Sequence, residues 1–368
     1  MSGLYIHIPF CHSKCAYCDF FSTPRGYDTD AYVSALIGEL KARKDEVENP
    51  FTTIYIGGGT PSSLPIPTLE RLVKSLPSES AEEFTIEVNP EDVTQEFLHW
   101  LRDSPLSRVS MGVQSFTDSE LKAVGRRHTS ARAREALGDL MATGMNVSAD
   151  LIYGLPLQTV ESWEKSLSEL LKFRPQHISC YVLSYEPGTT LTSRLRAGKV
   201  KECGEAELCE MYAALCQQTA AYGYEHYEIA NFALKGYRSR HNSSYWAFTP
   251  YLGLGTGAHS FDGRLRRVNP PDIAGYISQK GKDFFEVEDE TPREQANDFI
   301  MVRLRTSDGL DMNELRRRFG ATVADNALAT ACRLVEEKRL EYTGTDRFRI
   351  PETDWLTADS VILELIEV

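Results

Sequence analysis

Cys11, Cys15 and Cys18 stand in the string CHSKCAYC, three thiols within eight residues. A Cys-x3-Cys-x2-Cys spacing on a short loop lets three thiolates converge on one point. Structural zinc normally takes four ligands, typically from two separated pairs. His7 and His12 lie nearby, but no second cysteine pair accompanies them. A cubane iron–sulfur cluster is also usually held by four cysteines. Three leave one iron open, and an open iron can chelate the amino and carboxylate groups of S-adenosylmethionine (SAM). Electron transfer then cleaves the S–C bond to a 5′-deoxyadenosyl radical. The spacing favours a [4Fe–4S] cluster, with zinc and incidental thiols as the alternatives.

Other polar residues recur at corresponding places. Gly57-Gly58-Gly59-Thr60-Pro61 follows the second β-rich run. Three glycines let backbone approach a ligand and present its polar groups. Glu87 (in IEVNPE) and Gln114 (in GVQSF) end the third and fourth runs, and Asp150 (in DLIYGLP) lies on the fifth. Any one alone reads as a hydrogen-bonded core group, but repetition on consecutive runs favours a site.

The elements that must position these residues alternate. β-rich runs appear at Leu4–Pro9, Thr53–Ile56, Phe84–Val88, Arg108–Val113, Val147–Tyr153 and His177–Leu183. Amphipathic stretches lie between most of them. Val33, Leu36, Ile37 and Leu40 follow helical spacing, as do Val160, Trp163, Leu167, Leu170 and Leu171, with Asp30 and Thr159 as expected N-caps. Such alternation implies right-handed βαβ units and a parallel sheet. The count fits an α/β fold built as a partial (β/α)6 barrel, whose chemistry sits at the C-terminal ends of the strands. A helix is expected at 205–221, then a Gly-, Tyr- and His-rich stretch, 223–263. From Pro292 the sequence predicts helices near 293–304, 312–319 and 323–338 and a hairpin of 340–342 with 347–350. Helices followed by a hairpin suggest a small, mainly helical, winged-helix-like C-terminal domain. The expected organisation is therefore 1–222 barrel, 223–289 connecting segment and 290–368 C-terminal domain.

The string LYIHIPFCHSKCAYCDF, with aromatic Tyr17 before the last cysteine, resembles the radical-SAM superfamily and, within it, the start of the HemN/HemW group. The resemblance covers essentially the whole chain. It implies a partial (β/α)6 radical-SAM barrel with a small C-terminal helical domain, and a [4Fe–4S] cluster on Cys11, Cys15 and Cys18. It implies SAM contacts from Tyr5, Tyr17, Gly58, Gly59, Thr60, Glu87, Gln114, Asp150 and Arg126, with Arg127 as neighbour in GRRH. A guanidinium suits the SAM carboxylate through a bidentate pair.

Two features divide the group. The coproporphyrinogen III dehydrogenases carry a fourth cysteine where Phe20 stands here, and an N-terminal extension before the cluster. Arg240-His241-Asn242-Ser243-Ser244-Tyr245-Trp246 instead resembles the HNxxYW motif of the haem-chaperone branch. There His241 would offer an imidazole to haem iron, and Tyr245 and Trp246 flat faces to the macrocycle. His226 and His259 are rival ligands, and Arg238, Arg240, Arg264, Arg266 and Arg267 candidate propionate partners. The residue-level alternative is a turn with a hydrogen-bonding Asn242. The resemblance implies a haem chaperone holding a cluster, SAM and haem and serving acceptors such as respiratory haem proteins, with a homodimer on haem binding as one expectation. The enzymatic alternatives are SAM-dependent radical decarboxylation of coproporphyrinogen III and class C radical-SAM methyl transfer.

Composition bounds the partners. Hydrophobic residues make up 42% of the 368, and the net charge is −13. An acidic chain argues against nucleic-acid binding and against a polybasic membrane anchor, leaving at most peripheral membrane association. From Glu290 onward, 11 Lys/Arg face 16 Asp/Glu, a net of −5, with Arg316-Arg317-Arg318 the only basic cluster. Ten residues precede Cys11, so no signal peptide and a cytoplasmic location are expected. Of the remaining cysteines, Cys180, Cys209, Cys216 and Cys332 are expected in the core and Cys203 as an exposed thiol, none of them in a disulfide.

Overall fold

Apolar runs become parallel strands when helices cover them. In the computed structural model, which describes residues 2–24, 26–47 and 50–366, six such strands lie side by side. They are β1 (Ser2–Ile8), β2 (Phe51–Gly58), β3 (Glu83–Val88), β4 (Arg108–Gln114), β5 (Asn146–Tyr153) and β6 (His177–Val182). Each falls on a predicted run. The register sets Tyr5 beside Tyr55, Glu87 beside Ser110 and Gly112 beside Asp150. Side chains on a strand alternate faces, so these residues share the concave interior.

Helices connect the strands. Thr159 caps Val160–Phe173 as expected, its side chain accepting from Ser162 N, and that helix buries Trp163, Leu167, Leu170 and Leu171. The first helix, Thr29–Arg43, starts earlier than predicted: Asp28 is the cap, accepting from Ala31 N, and Asp30 falls in the first turn. The predicted helix at 205–221 is present as Glu205–Ala221.

The stretch expected to connect two domains is instead woven into the sheet. β7 (Glu225–Glu228) and β8 (Asn231–Ala233) add antiparallel strands beside β6. β9 (Tyr251–Leu254) pairs parallel with β1, and β10 (His259–Phe261), β11 (Arg266–Val268) and β12 (Glu286–Glu288) continue outward. The sheet thus has 12 strands, with the six-strand unit in the middle. The C-terminal helices are Pro292–Leu304, Met312–Phe319, Ala321–Glu336 and, unpredicted, Ala358–Leu365. β13 (Leu310–Asp311), β14 (Glu341–Tyr342) and β15 (Arg347–Arg349) form a separate 3-stranded sheet, with β15 central. No helix among the described residues is long and apolar enough to cross a membrane.

Candidate functional site

Cys11, Cys15 and Cys18 stand on the loop after β1, each partly exposed and free of disulfides. Ala16 N donates to Val124 O at 2.9 Å, and Leu191 N donates to Ala16 O at 2.7 Å, pinning the loop between neighbours. The three thiols line one cavity of ≈ 410 Å³ with Gly58, Gly59, Thr60, Glu87, Gln114, Arg126, Asp150 and Tyr17. That volume suits a small-molecule ligand. Burial raises the pKa of Cys11 and of Cys18. An all-thiolate donor set of three, partly open to the cavity, fits an iron–sulfur cluster with one free iron. Phe20 is on the same wall and 63% exposed.

The glycines answer to protein neighbours as well as to a ligand. Gly58 has φ +110°, and a Cβ there would lie 2.6 Å from the His7 ring. At Gly59 a Cβ would lie 2.6 Å from Phe10 O, and at Gly57 2.9 Å from the Glu87 carboxylate.

Glu87 accepts from Tyr55 OH at 2.7 Å and from Gly58 N at 3.1 Å, yet burial pushes its pKa up to about 7. Burial likewise pushes Asp150 up to about 6. At this cavity wall Asp150 is largely ionised near pH 7, and Glu87, about half ionised, gives up its remaining proton readily against a cationic ligand. Burial works against the charge on Arg126, but Tyr17 and Cys15 alongside hold its pKa above the ordinary value. Its Nη2 donates to Asn89 Oδ1 at 2.6 Å and Gly112 O at 2.7 Å, and its Nη1 lies 3.5 Å from Cys15 Sγ. Arg127 is exposed. Gln114 adopts a left-handed φ of 67° at the end of β4. Tyr5 stands back from the cavity wall, its hydroxyl 3.0 Å from His7 Nδ1.

His241, expected on a loop with its imidazole offered to iron, lies instead on the helix Arg240–Trp246 and is 1% exposed. Its Nδ1 is 2.9 Å from Thr53 Oγ1, its Nε2 is 2.8 Å from Tyr245 OH, and its ring stacks on Tyr55 at 5.1 Å. Burial, with Arg108 nearby, lowers its pKa to about 3, so it is neutral with both nitrogens hydrogen-bonded. Glu83 accepts from Arg240 N and His241 N, each at 2.9 Å, fixing the helix at the N-terminal ends of the strands. Thr53 precedes Gly58 by five residues on β2, so roughly 16 Å of strand separates His241 from the cysteine end.

The rival histidines differ. His226 is buried against Glu352, whereas His259 is exposed on β10. Most expected propionate partners already face acids: Arg238 with Glu225 and Asp308, Arg240 with Glu82, Arg266 with Glu290 and Asp298, Arg267 with Asp262. Asn89, Ser110 and Gly112 also line the cavity and were not singled out from sequence. Strand parity was the available signal: Asn89 is two residues past Glu87, and Ser110, Gly112 and Gln114 alternate along β4.

The model of the radical SAM superfamily matches residues 5–170, and that of the HemN C-terminal domain matches 291–348. The chain is 34% identical to the heme chaperone HemW of Lactococcus lactis, covering 96% of this chain and 93% of that protein. It is 35% identical to the heme chaperone HemW of Escherichia coli, covering 82% of each. In fold it resembles the E. coli coproporphyrinogen III oxidase HemN, a radical SAM enzyme, with a TM-score of 0.83 at 22% identity, over 99% of this chain and 89% of that one.

Proposed function

The chain belongs to the HemW family of radical SAM proteins, and from that premise we propose that it is a haem chaperone. It holds a [4Fe–4S] cluster on Cys11, Cys15 and Cys18, accepts SAM at the open iron, binds haem and passes it to acceptor haem proteins in the cytoplasm. One observation carries this best: a three-thiol cavity with exposed Phe20 on its wall, at the place where the decarboxylases of the resembled group carry a further cysteine. The cluster, when bound, supplies an iron for the SAM amino and carboxylate groups and a route for an electron. The chain's own residues do the rest. Arg126, braced by Asn89 and Gly112 O, presents fixed positive charge beside Cys15. Glu87, with its pKa raised to about 7, completes its ionisation as a sulfonium or ammonium arrives, and Asp150, raised only to about 6, already presents charge to it. Gly58 and Gly59 keep that wall free of side chains, and Tyr17 adds an aromatic surface.

Of the three histidines weighed as haem ligands, His259 is the exposed one as the chain stands. His241 serves only if the helix Arg240–Trp246 leaves the base of the barrel. The test is anaerobic reconstitution of the cluster, then a haem titration and a separate assay of coproporphyrinogen III with SAM. Haem binding without decarboxylation supports the chaperone. Protoporphyrinogen formation at a catalytic rate sinks it.

A further inference from the structure

Away from the cavity, a thiol, an imidazole and a carboxylate converge where the proposed function has no use for them. Ligand atoms of Cys216, His226 and Glu352 all lie within 4.8 Å of one another. His226 Nδ1 is 2.9 Å from Glu352 Oε1 and 4.0 Å from Cys216 Sγ. With bonds of about 2.0–2.3 Å, two ligand atoms on a tetrahedral zinc sit roughly 3.3–3.6 Å apart. The observed separations bracket that spacing, so small side-chain adjustments close it.

The three come from three segments. Cys216 lies on the helix Glu205–Ala221, His226 on β7, and Glu352 in the turn before the last helix of the C-terminal domain. The imidazole is fixed before any ligand arrives: its side chain is 3% exposed, stacked on Phe232 at 3.9 Å and edge-on to Trp355 at 4.4 Å. Tyr212 OH donates to Glu352 O at 2.7 Å, anchoring the backbone that carries the carboxylate. His226 Nε2 is buried without a hydrogen-bond partner, so Nδ1 is the nitrogen that does the polar work. A Cys–His–Glu set also suits nucleophilic catalysis, but burial pushes the Cys216 thiol up to about 11, leaving it protonated and inert. A coordinating cation removes that proton outright.

We propose that Cys216, His226 and Glu352 form a site for a borderline-soft divalent cation of the zinc class, clamping the C-terminal domain to the barrel. Sulfur, nitrogen and oxygen donors together favour zinc over calcium or magnesium. Glu352 faces solvent, so water completes the tetrahedron. Binding releases the proton of Cys216 Sγ, while the imidazole proton passes from Nδ1 to Nε2 with no net release, so affinity rises with pH through the thiol. The Nε2–H that coordination through Nδ1 requires meets no acceptor, which makes the site exchangeable rather than permanent.

The test uses full-length protein with its cluster reconstituted anaerobically, so that Cys11, Cys15 and Cys18 are occupied. Zinc chloride is titrated against a chromophoric chelator, and melting is followed with and without zinc. One zinc per chain is expected, with a zinc-dependent rise in Tm. Cys216→Ser and Glu352→Gln should each weaken binding by about tenfold or more and abolish that rise. Cys332→Ser, at an exposed thiol elsewhere, should change neither. Absence of binding at micromolar zinc overturns the proposal. So does binding that survives both substitutions, which would place the ion on other surface thiols.

Discussion

His241→Ala separates a ligand from a structural element. The imidazole satisfies the Thr53 and Tyr245 hydroxyls at 2.9 and 2.8 Å in a setting where His241 is 1% exposed. Leaving a buried hydroxyl unpaired costs about 1–3 kcal/mol, so two such losses come to about 2–6 kcal/mol, and the vacated volume adds to that. At roughly 2 °C per kcal/mol for a large chain, the two hydroxyls alone should lower Tm by about 4–12 °C. The loss should carry a pH fingerprint. His241 keeps a folded-state pKa of about 3, against about 6.5 when unfolded. Between those values the unfolded chain binds the extra proton, so the histidine's share of stability rises with pH across that window. The gap in Tm between wild type and His241→Ala should therefore be constant above about pH 6.5 and shrink as pH falls below it. Calorimetry over that range, with a haem titration on the same samples, decides. A variant that melts like wild type while losing haem would refute the reasoning, because it would mean an imidazole free to ligate iron.

Other perturbations read the cavity. Arg126→Lys offers one ammonium where a guanidinium serves Asn89, Gly112 O and Cys15, so SAM affinity of reconstituted protein, by calorimetric titration, should fall about tenfold or more. Glu87→Gln removes a carboxyl whose pKa is raised to about 7 in the fold. The folded wild type holds that proton more tightly than the unfolded chain, so the variant's Tm advantage should grow from about pH 4.5 to about pH 7 and then level off. An advantage that shrinks over that range would contradict the burial argument. Gly58→Ala meets both a φ of +110° and the His7 ring 2.6 Å away. Strain alone costs about 1–3 kcal/mol, and lowered Tm should accompany weakened SAM binding.

The six central strands were legible because a parallel strand covered by helices reads as a short apolar run between turn residues. Strands β7 to β12 were not, since runs of three or four residues carry no usable alternation, and the pairings that join them to the central unit, β8 with β6 and β9 with β1, bridge long stretches of sequence. That is why the stretch 223–289 looked like a connection and turned out to extend both edges of the sheet. The helix Arg240–Trp246 was missed for a related reason. Its sequence is polar and short, and it is held by Glu83 from β3 and by Ser239 as cap rather than by an amphipathic pattern of its own.

The cysteines, Glu87, Gln114 and Asp150 could be named from sequence because strand ends and the loops after them gather on one rim, whereas Arg126 was named only through the resemblance to the radical-SAM pattern. His241 shows where that logic stops. A motif gives the identity of a side chain, but ligation depends on whether a lone pair is free, and that is settled by partners such as Thr53, many residues away. Both nitrogens of His241 are taken, and Glu83 fixes its helix to the end of the barrel remote from the thiols. Haem bound there would have to unseat the helix first. Haem affinity at His241 would therefore be its intrinsic affinity reduced by the small fraction of open chains. Weakening the anchor should raise that fraction: Glu83→Gln should tighten haem binding if His241 is the ligand and leave it unchanged if His259 is. The same titration that follows His241→Ala reads out this difference, and the two substitutions predict opposite directions only when the helix is a gate.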